Sequence, residues 1–529
     1  MKKIYIVFKE FYKKSKLLIL LYVILAIASN LFSIINPLVM AKLIDSAVYF
    51  ESMEVFVRFI FYLVSLNIIN VVLMPIYHYI DWKIQIGAKS QLMEKIICRI
   101  PFLEHESIKN KTIGQILQLV TDDLNNIQKL VVADFVALFA NVVYFITVLT
   151  ILLRLHFTLS VLMLTVLPLM MFFSKIMVPK IHKAREEFIS KDEKIKDITD
   201  EVFTGSMLIK LANAYVFINN KINTIVTQYK TKMMEYLKKN IIYNCIFTSS
   251  TIDLSHIAII ILGTFLVIKG NITVGVLTLL GAYFSGLWNS TYFFMDFYRD
   301  FKVNMISVNR VVKYLEIPTE SSDGANLEDF MSMEIRDISY RIDSKSILKN
   351  LDLLINQGDQ ILIVGDNGSG KSTLARLLIG LMPSSEGAIL YNNREISYYN
   401  KYSLRNKVSY IPAEPYIFSG GLEDNFFGKK VNSKLINYES YNDIEKCGNN
   451  LSSGEKKRLQ LAHGLLQESD VYILDEPLSF VDDATKQDII EIIKRDFITK
   501  TLIVISHESA PFDFCHIKYT MENGTLRQL

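Results

Sequence analysis

The sequence predicts a multi-domain chain: an all-α membrane domain of six helices over residues 1–318, then an α/β domain with a phosphate-binding loop over residues 319–529. Three observations carry this reading. The 529 residues are 51% hydrophobic and 21% charged, too apolar for a disordered chain. The net charge of +3 hides a split: residues 1–318 hold 34 Lys+Arg and 23 Asp+Glu, a net of +11, whereas residues 319–529 hold 23 and 31, a net of −8. The long apolar runs lie almost entirely in the basic half, and the glycine-rich loop lies in the acidic half.

A bilayer core of about 30 Å needs about 20 apolar residues in a helix. Six runs reach that length: 17–40, 55–80, 130–153, 157–178, 241–268 and 274–295. Six are too many to read as buried helices of a soluble protein this size. Pro37, Pro75 and Pro168 fall inside them, and membrane helices tolerate proline where neighbours satisfy the freed carbonyls. The segments 1–16, 81–129 and 179–240 carry 25 Lys and Arg, against Lys42, Arg154 and Lys269 on the other side. Basic loops stay in the cytoplasm, so both termini and the acidic half are expected there. The first run is longer than a signal-peptide core and no small-residue cleavage site follows it, so it is read as retained. The two long cytoplasmic loops are expected to continue the membrane helices. The basic residues flank apolar runs without forming one patch, which argues against nucleic acid. Cys98, Cys245, Cys447 and Cys515 form no CxxC pair and no zinc spacing, which excludes a disulfide scaffold.

In the acidic half, Ile361-Leu-Ile-Val364 reads as a buried strand. It runs into Gly365-Asp-Asn367-Gly368-Ser369-Gly370-Lys371-Ser372, and a helix is expected from Thr373 to Leu381. GxxxxGK[ST] between strand and helix is a phosphate-binding loop. Its glycines let backbone amides approach phosphate oxygens, and the helix adds its positive end. Lys371 would neutralise the β- and γ-phosphates and Ser372 would bind Mg²⁺. A second apolar strand, Val471-Tyr-Ile-Leu474, ends in Asp475-Glu476. Two acids there are costly without a cation: Asp475 would hold Mg²⁺ and Glu476 would polarise the attacking water.

Between these lies Leu451-Ser452-Ser-Gly454-Glu455 with a basic helix behind it. Ser479-Phe-Val-Asp482, the strand Thr501–Ile505 and Ser506-His507 follow. On the order and spacing of these motifs the chain resembles the ABC transporter family in its exporter branch, along essentially its whole length. The resemblance implies ATP and Mg²⁺ as cofactors and ATP hydrolysis coupled to transport. It makes Tyr340 the aromatic that stacks on adenine, and Ser452 and Gly454 the signature residues that meet the γ-phosphate held by a second subunit. Asp482 becomes the acid of the loop crossing that seam, and His507 the histidine that contacts the γ-phosphate. Thr112–Gln115 and Glu201–Lys210 resemble the two turns that dock on nucleotide domains, although Glu201 and Lys210 read equally well as solvated helix charges.

The sequence departs from the family in two places. Ala413 stands where a glutamine is expected, and only 38 positions separate it from Leu451, so a helical subdomain over Gly421–Asn450 is expected to be trimmed. The partner is a second half-transporter subunit, with a homodimer favoured and a heterodimer, supported by Ala413, as the alternative. Intact Glu476 and His507 make this chain an expected hydrolase. The expected cargo is a small peptide, with lipid or amphipathic drug as alternatives. A sensor that moves little is the alternative from another class, and Ala413 is its support. Nothing precedes the first span that could cleave a leader, so that step is expected elsewhere. Asp253 and His256 share a helix face, and Asn289–Tyr292 form a polar stripe; either could line a cargo path or serve as hydrogen-bonded glue between helices.

Overall fold

The computed structural model describes residues 2–49, 52–109, 113–320, 323–342, 345–429, 441, 443–466, 468–479 and 481–529. The chain forms two compact units, Met1–Ile97 with Ile116–Leu315, and Cys98–Gln115 with Glu316–Leu529.

The first unit is helical. Its principal helices are α1 (Lys2–Lys14), α2 (Lys16–Val48), α3 (Met53–Arg99), α4 (Ala133–Leu155), α5 (Phe157–Thr204), α6 (Tyr215–Ile241), α7 (Ser250–Ile268) and α8 (Val274–Leu315). The runs 17–40, 55–80, 157–178 and 274–295 fall on α2, α3, α5 and α8, while 130–153 begins three residues before α4 and 241–268 begins at the end of α6 and continues through a separate turn of helix, Ile242–Ser249, into α7. Among the described residues α2, α3 and α4 are each long and apolar enough to cross a membrane, and Ile252–Ile268 of α7 is a shorter apolar stretch. The 47, 48 and 42 residues of α3, α5 and α8 extend them to about 60–70 Å at 1.5 Å per residue, far past a bilayer core, as expected of helices that continue beyond the membrane. Pro37, Pro75, Pro168 and Pro179 sit inside α2, α3 and α5.

Polar contacts lock these helices at a few points. Asp45 of α2 accepts hydrogen bonds from Thr273 Oγ1 and from the Gly275 amide, both at 2.7 Å. A carboxylate there satisfies an open amide at the start of α8 and favours its dipole. The approach demands glycine, because a Cβ on Gly275 would lie 2.1 Å from the Ala41 carbonyl oxygen. Tyr283 donates to the Ile34 carbonyl at 2.7 Å, and Asn30 donates to the Ala140 carbonyl at 2.9 Å.

The second unit is α/β. Its central sheet has the order β10-β9-β3-β8-β7-β6, built from β3 (Gln360–Val364), β6 (Val408–Ile411), β7 (Val471–Asp475), β8 (Thr501–Ser506), β9 (Ile517–Glu522) and β10 (Thr525–Gln528). All neighbours are parallel except β9 and β10. β7 and β8 are buried along their whole length, which is why they read as unbroken apolar runs rather than alternating ones. A second, antiparallel sheet has the order β2-β1-β4-β5, from β1 (Ser332–Ile342), β2 (Lys345–Asn356), β4 (Glu386–Tyr391) and β5 (Arg394–Glu395). Helices α9 (Lys371–Leu378), α10 (Ser453–Leu465) and α11 (Asp483–Asp496) complete the parts used below. The segment from Cys98 is tied into this unit by backbone bonds from Glu104 N to the Pro318 oxygen at 3.3 Å and from Glu320 N to the Phe102 oxygen at 2.8 Å.

Candidate nucleotide site

The strand register brings the motifs together. Val364 at the end of β3 pairs with Ser506 of β8, and Asp475 at the end of β7 pairs with Ile505. The phosphate loop, the two acids and His507 therefore leave the sheet along one carboxyl edge, where open α/β sheets bind ligands.

In the loop, Gly368 and Gly370 adopt positive φ of 82° and 110°, conformations that favour glycine. Gly370 caps α9, and a Cβ on it would meet Leu348 Cδ2 at 2.6 Å. Asn367 and Gly368 are exposed at the tip, Ser369 is buried, and Ser372 and Thr373 follow in the first turn of α9. Lys371 is buried and folds back over the loop, donating to the carbonyls of Gly365 at 2.6 Å and Asp366 at 2.9 Å. Its ammonium sits in the cradle that the loop closes. Ser369 Oγ is buried with no hydrogen-bond partner among the described residues.

Asp475 is 2% exposed. Its Oδ2 accepts from the Tyr410 hydroxyl at 2.9 Å, and its Oδ1 is buried without a hydrogen-bond partner among the described residues. Burial, then the Asp475 charge, pushes the Tyr410 phenol well above its usual pKa, so it remains a donor. A buried carboxylate oxygen left open, at the sheet edge where the phosphate loop begins, fits a divalent cation. Glu476 holds a left-handed φ of 45°, a strained conformation for a non-glycine residue. Its amide donates to the Ile505 carbonyl at 2.8 Å, and Ser479 Oγ donates to its carbonyl at 2.8 Å. This pinned turn sets Glu476 Oε2 3.7 Å from His507 Nδ1.

The signature stretch is a helix start. Ser452 caps α10: its Oγ accepts from the Glu455 amide at 3.2 Å, while Glu455 Oε2 accepts from the Ser452 amide at 2.9 Å. This is a capping box, and it leaves Ser452 and Ser453 exposed. Gly454 is buried, and a Cβ there would lie 2.9 Å from Thr485 Cγ2. Asp482 caps α11, accepting from Thr485 Oγ1 at 2.7 Å and from the Thr485 amide at 3.1 Å. These hydrogen bonds, the hydroxyl's first, hold its carboxyl below the usual range.

Tyr340, the residue that the resemblance makes the adenine-stacking aromatic, lies in β1. The ring is 5% exposed and packs in the core of this unit, and its hydroxyl donates to Glu106 Oε1 at 3.1 Å. Register shifts in β1 between Ile335 and Tyr340 change the alternation and turn both Ile338 and Tyr340 inward, while Ile342 at the strand end is exposed.

Sequence reasoning missed Tyr410, and it read Lys457 only as part of a basic helix. Lys457 is 2% exposed and donates to the Ala413 carbonyl at 2.8 Å. Burial pulls its pKa down to about 8, against the opposing pull of Asp475 and Glu476. Both contacts span many residues, and no local pattern announces them.

Among the cargo candidates, His256 Nε2 lies 3.0 Å from Ser285 Oγ and Asp253 is exposed. Ser290 is buried and donates to Asn141 Oδ1 at 3.3 Å, which makes it glue between α8 and α4. Glu201 pairs with Lys221 at 2.8 Å. Thr112 and much of the stretch expected to be trimmed, residues 430–440 and 442, lie outside the described residues.

Comparison with known proteins agrees with this geometry. Residues 19–291 match the family model "ABC transporter transmembrane region", and residues 348–479 match the family model "ABC transporter". A Rickettsia felis protein named as an export ATP-binding/permease protein is 26% identical over 552 aligned positions, covering 97% of this chain and 93% of its own. The Lactococcin-A transport/processing ATP-binding protein LcnC of Lactococcus lactis is 26% identical over 389 positions, 69% of this chain and 54% of its own. The solved structure of a bacterial Atm1-family ABC exporter with ATP bound shares the fold, with a TM-score of 0.80 at 18% identity over 98% of this chain and 95% of that one. The chain belongs to the ABC transporter family, as an exporter-type half-transporter that fuses a multi-pass transmembrane region to an ABC ATPase domain and couples ATP hydrolysis to export.

Proposed function

We propose that two copies of this chain export a small peptide from the cytoplasm, with both termini of each on the cytoplasmic side. The observation that carries the dimer is the split of the site. The loop, acids and histidine converge on one sheet edge, whereas Ser452 and Ser453 stand exposed at the start of α10. An exposed helix N-terminus is a ready anion site, and the phosphates it takes are those held on the partner's loop. The peptide cargo rests on the likeness to a protein named for lactococcin transport. The 25 Lys and Arg of the long loops and the amino-terminal segment support the orientation.

The residues divide the work. The loop amides and Lys371 bind and orient the β- and γ-phosphates. Asp475, with one oxygen fixed by Tyr410 and one open, and Ser372 would hold Mg²⁺, which neutralises charge on the phosphates when bound. Glu476 orients and polarises the attacking water, and His507 meets the γ-phosphate. Closing and opening the pair of ATPase domains then biases the membrane helices between inward and outward access, each ligand state favouring one arrangement by its own contacts.

The test is ATP-driven accumulation of a labelled bacteriocin-type peptide in inverted membrane vesicles. Accumulation that Lys371→Ala abolishes supports the proposal. ATP hydrolysis with no accumulation of peptide, lipid or amphipathic drug favours a sensor, and accumulation of lipid or drug alone replaces the cargo.

A further inference from the structure

The backbone at Ala413 is clamped from α10 by two side chains. Lys457 Nζ donates to the Ala413 carbonyl at 2.8 Å, and Gln460 Nε2 donates to the Pro412 carbonyl at 2.8 Å. Ala413 follows β6, the strand that carries Tyr410 and so holds Asp475. The helix that begins with the exposed signature serine is thus latched to the strand that positions the cation-binding acid.

The lysine is an unusual choice for a latch. An ammonium has three donors, and a single acceptor is in reach among the described residues. The remaining hydrogens are buried at 2% exposure, in the field of Asp475 and Glu476. Burying a cation carries a large desolvation cost, and replacing a whole buried ion pair by apolar side chains of similar volume is often neutral or stabilising, whereas removing one partner leaves the other charge uncompensated. Packing alone does not call for a charge here.

Resting on the reading of this site as an ATPase centre, we propose that Lys457 is a positioning residue for hydrolysis. Its buried charge couples the Asp475–Glu476 carboxylates and the Ala413 carbonyl to the signature helix, in a chain whose position 413 has no polar side chain to do so. When the two acids engage their ligand, the balance of charge around Lys457 changes, and α10 registers it through the latch.

The experiment compares Lys457→Met, Lys457→Gln and Lys457→Arg in the full-length dimer, reading ATPase kcat and KM together with thermal stability. Lys457→Met is expected to lower the melting temperature, since the Ala413 carbonyl and the two carboxylates lose their partner, to leave KM for MgATP within about twofold, and to lower kcat per folded molecule about tenfold or more, the scale of losing one charge-assisted contact. Lys457→Gln should follow it. Lys457→Arg keeps charge and donor and should retain most of kcat. A Lys457→Met protein with wild-type kcat overturns the proposal. So does a set of variants that lose only stability, with unchanged kcat per folded molecule, Lys457→Arg included. If the wild-type chain itself hydrolyses no ATP, the ATPase reading of the site fails rather than this one.

Discussion

Glu476 Oε2 lies 3.7 Å from His507 Nδ1, although the two residues belong to different strands' ends and are 31 positions apart in sequence. The parallel register of β7 and β8 makes the meeting possible, and the left-handed backbone at Glu476 turns its side chain toward the same edge. The proposed function gives Asp475 the cation and Glu476 the attacking water.

Glu476→Gln should therefore abolish turnover and leave binding intact. The amide keeps the shape and loses the basic oxygen, so kcat is expected to fall by about 10²–10⁴-fold, the usual worth of a placed general base. Steady-state ATPase and equilibrium binding of a fluorescent ATP analogue check this. Turnover near the wild-type level would remove Glu476 from its role.

Lys371→Ala acts one step earlier. The ammonium that folds over the Gly365 and Asp366 carbonyls is lost, and nucleotide affinity is expected to drop by about tenfold or more. The same analogue titration reads it. Unchanged affinity would contradict the assignment of the loop.

Tyr410→Phe removes the hydrogen bond to Asp475 Oδ2 and leaves a buried carboxylate with neither oxygen satisfied by that donor. The expected signature is a shift in the Mg²⁺ dependence of ATPase activity, with about 1–3 kcal/mol lost in stability. An unaltered Mg²⁺ titration would show that Tyr410 does not fix the acid.

Asp482 gives a pH test. Its folded pKa is depressed by the Thr485 contacts, so its ionised form stabilises the start of α11. That stability is complete above its unfolded pKa near 4 and is lost as pH falls through the lower folded value. Asp482→Asn keeps a capping side chain without the titration. The melting-temperature advantage of the wild type over Asp482→Asn should shrink between about pH 5 and 3. A gap that does not change with pH would contradict the cap.

Much of the site is local in sequence and was therefore legible. The loop needs glycines at fixed offsets from a strand end, and the acid pair needs an apolar strand before it; both leave marks within ten residues. The expected strands Ile361–Val364, Val471–Leu474 and Thr501–Ile505 recur with one residue added to each. Tyr410–Asp475 and Lys457–Ala413 span 65 and 44 positions, contacts set by packing of β6, β7 and α10 rather than by any repeat. The membrane helices were legible as apolar runs. Which of their polar groups pair across helices, as Ser290 does with Asn141, was not.

The central claim is that the phosphate loop of one chain and the signature helix of its partner close over the same nucleotide. Asn367 and Ser453 are both exposed, and the chain's own exposed cysteines, Cys98, Cys245 and Cys447, can be replaced. Two differently tagged chains carrying Glu476→Gln, one with Asn367→Cys and the other with Ser453→Cys, should form a disulfide between the tags when MgATP is added and little of it without nucleotide. No cross-link between the tags in any nucleotide state would contradict the account.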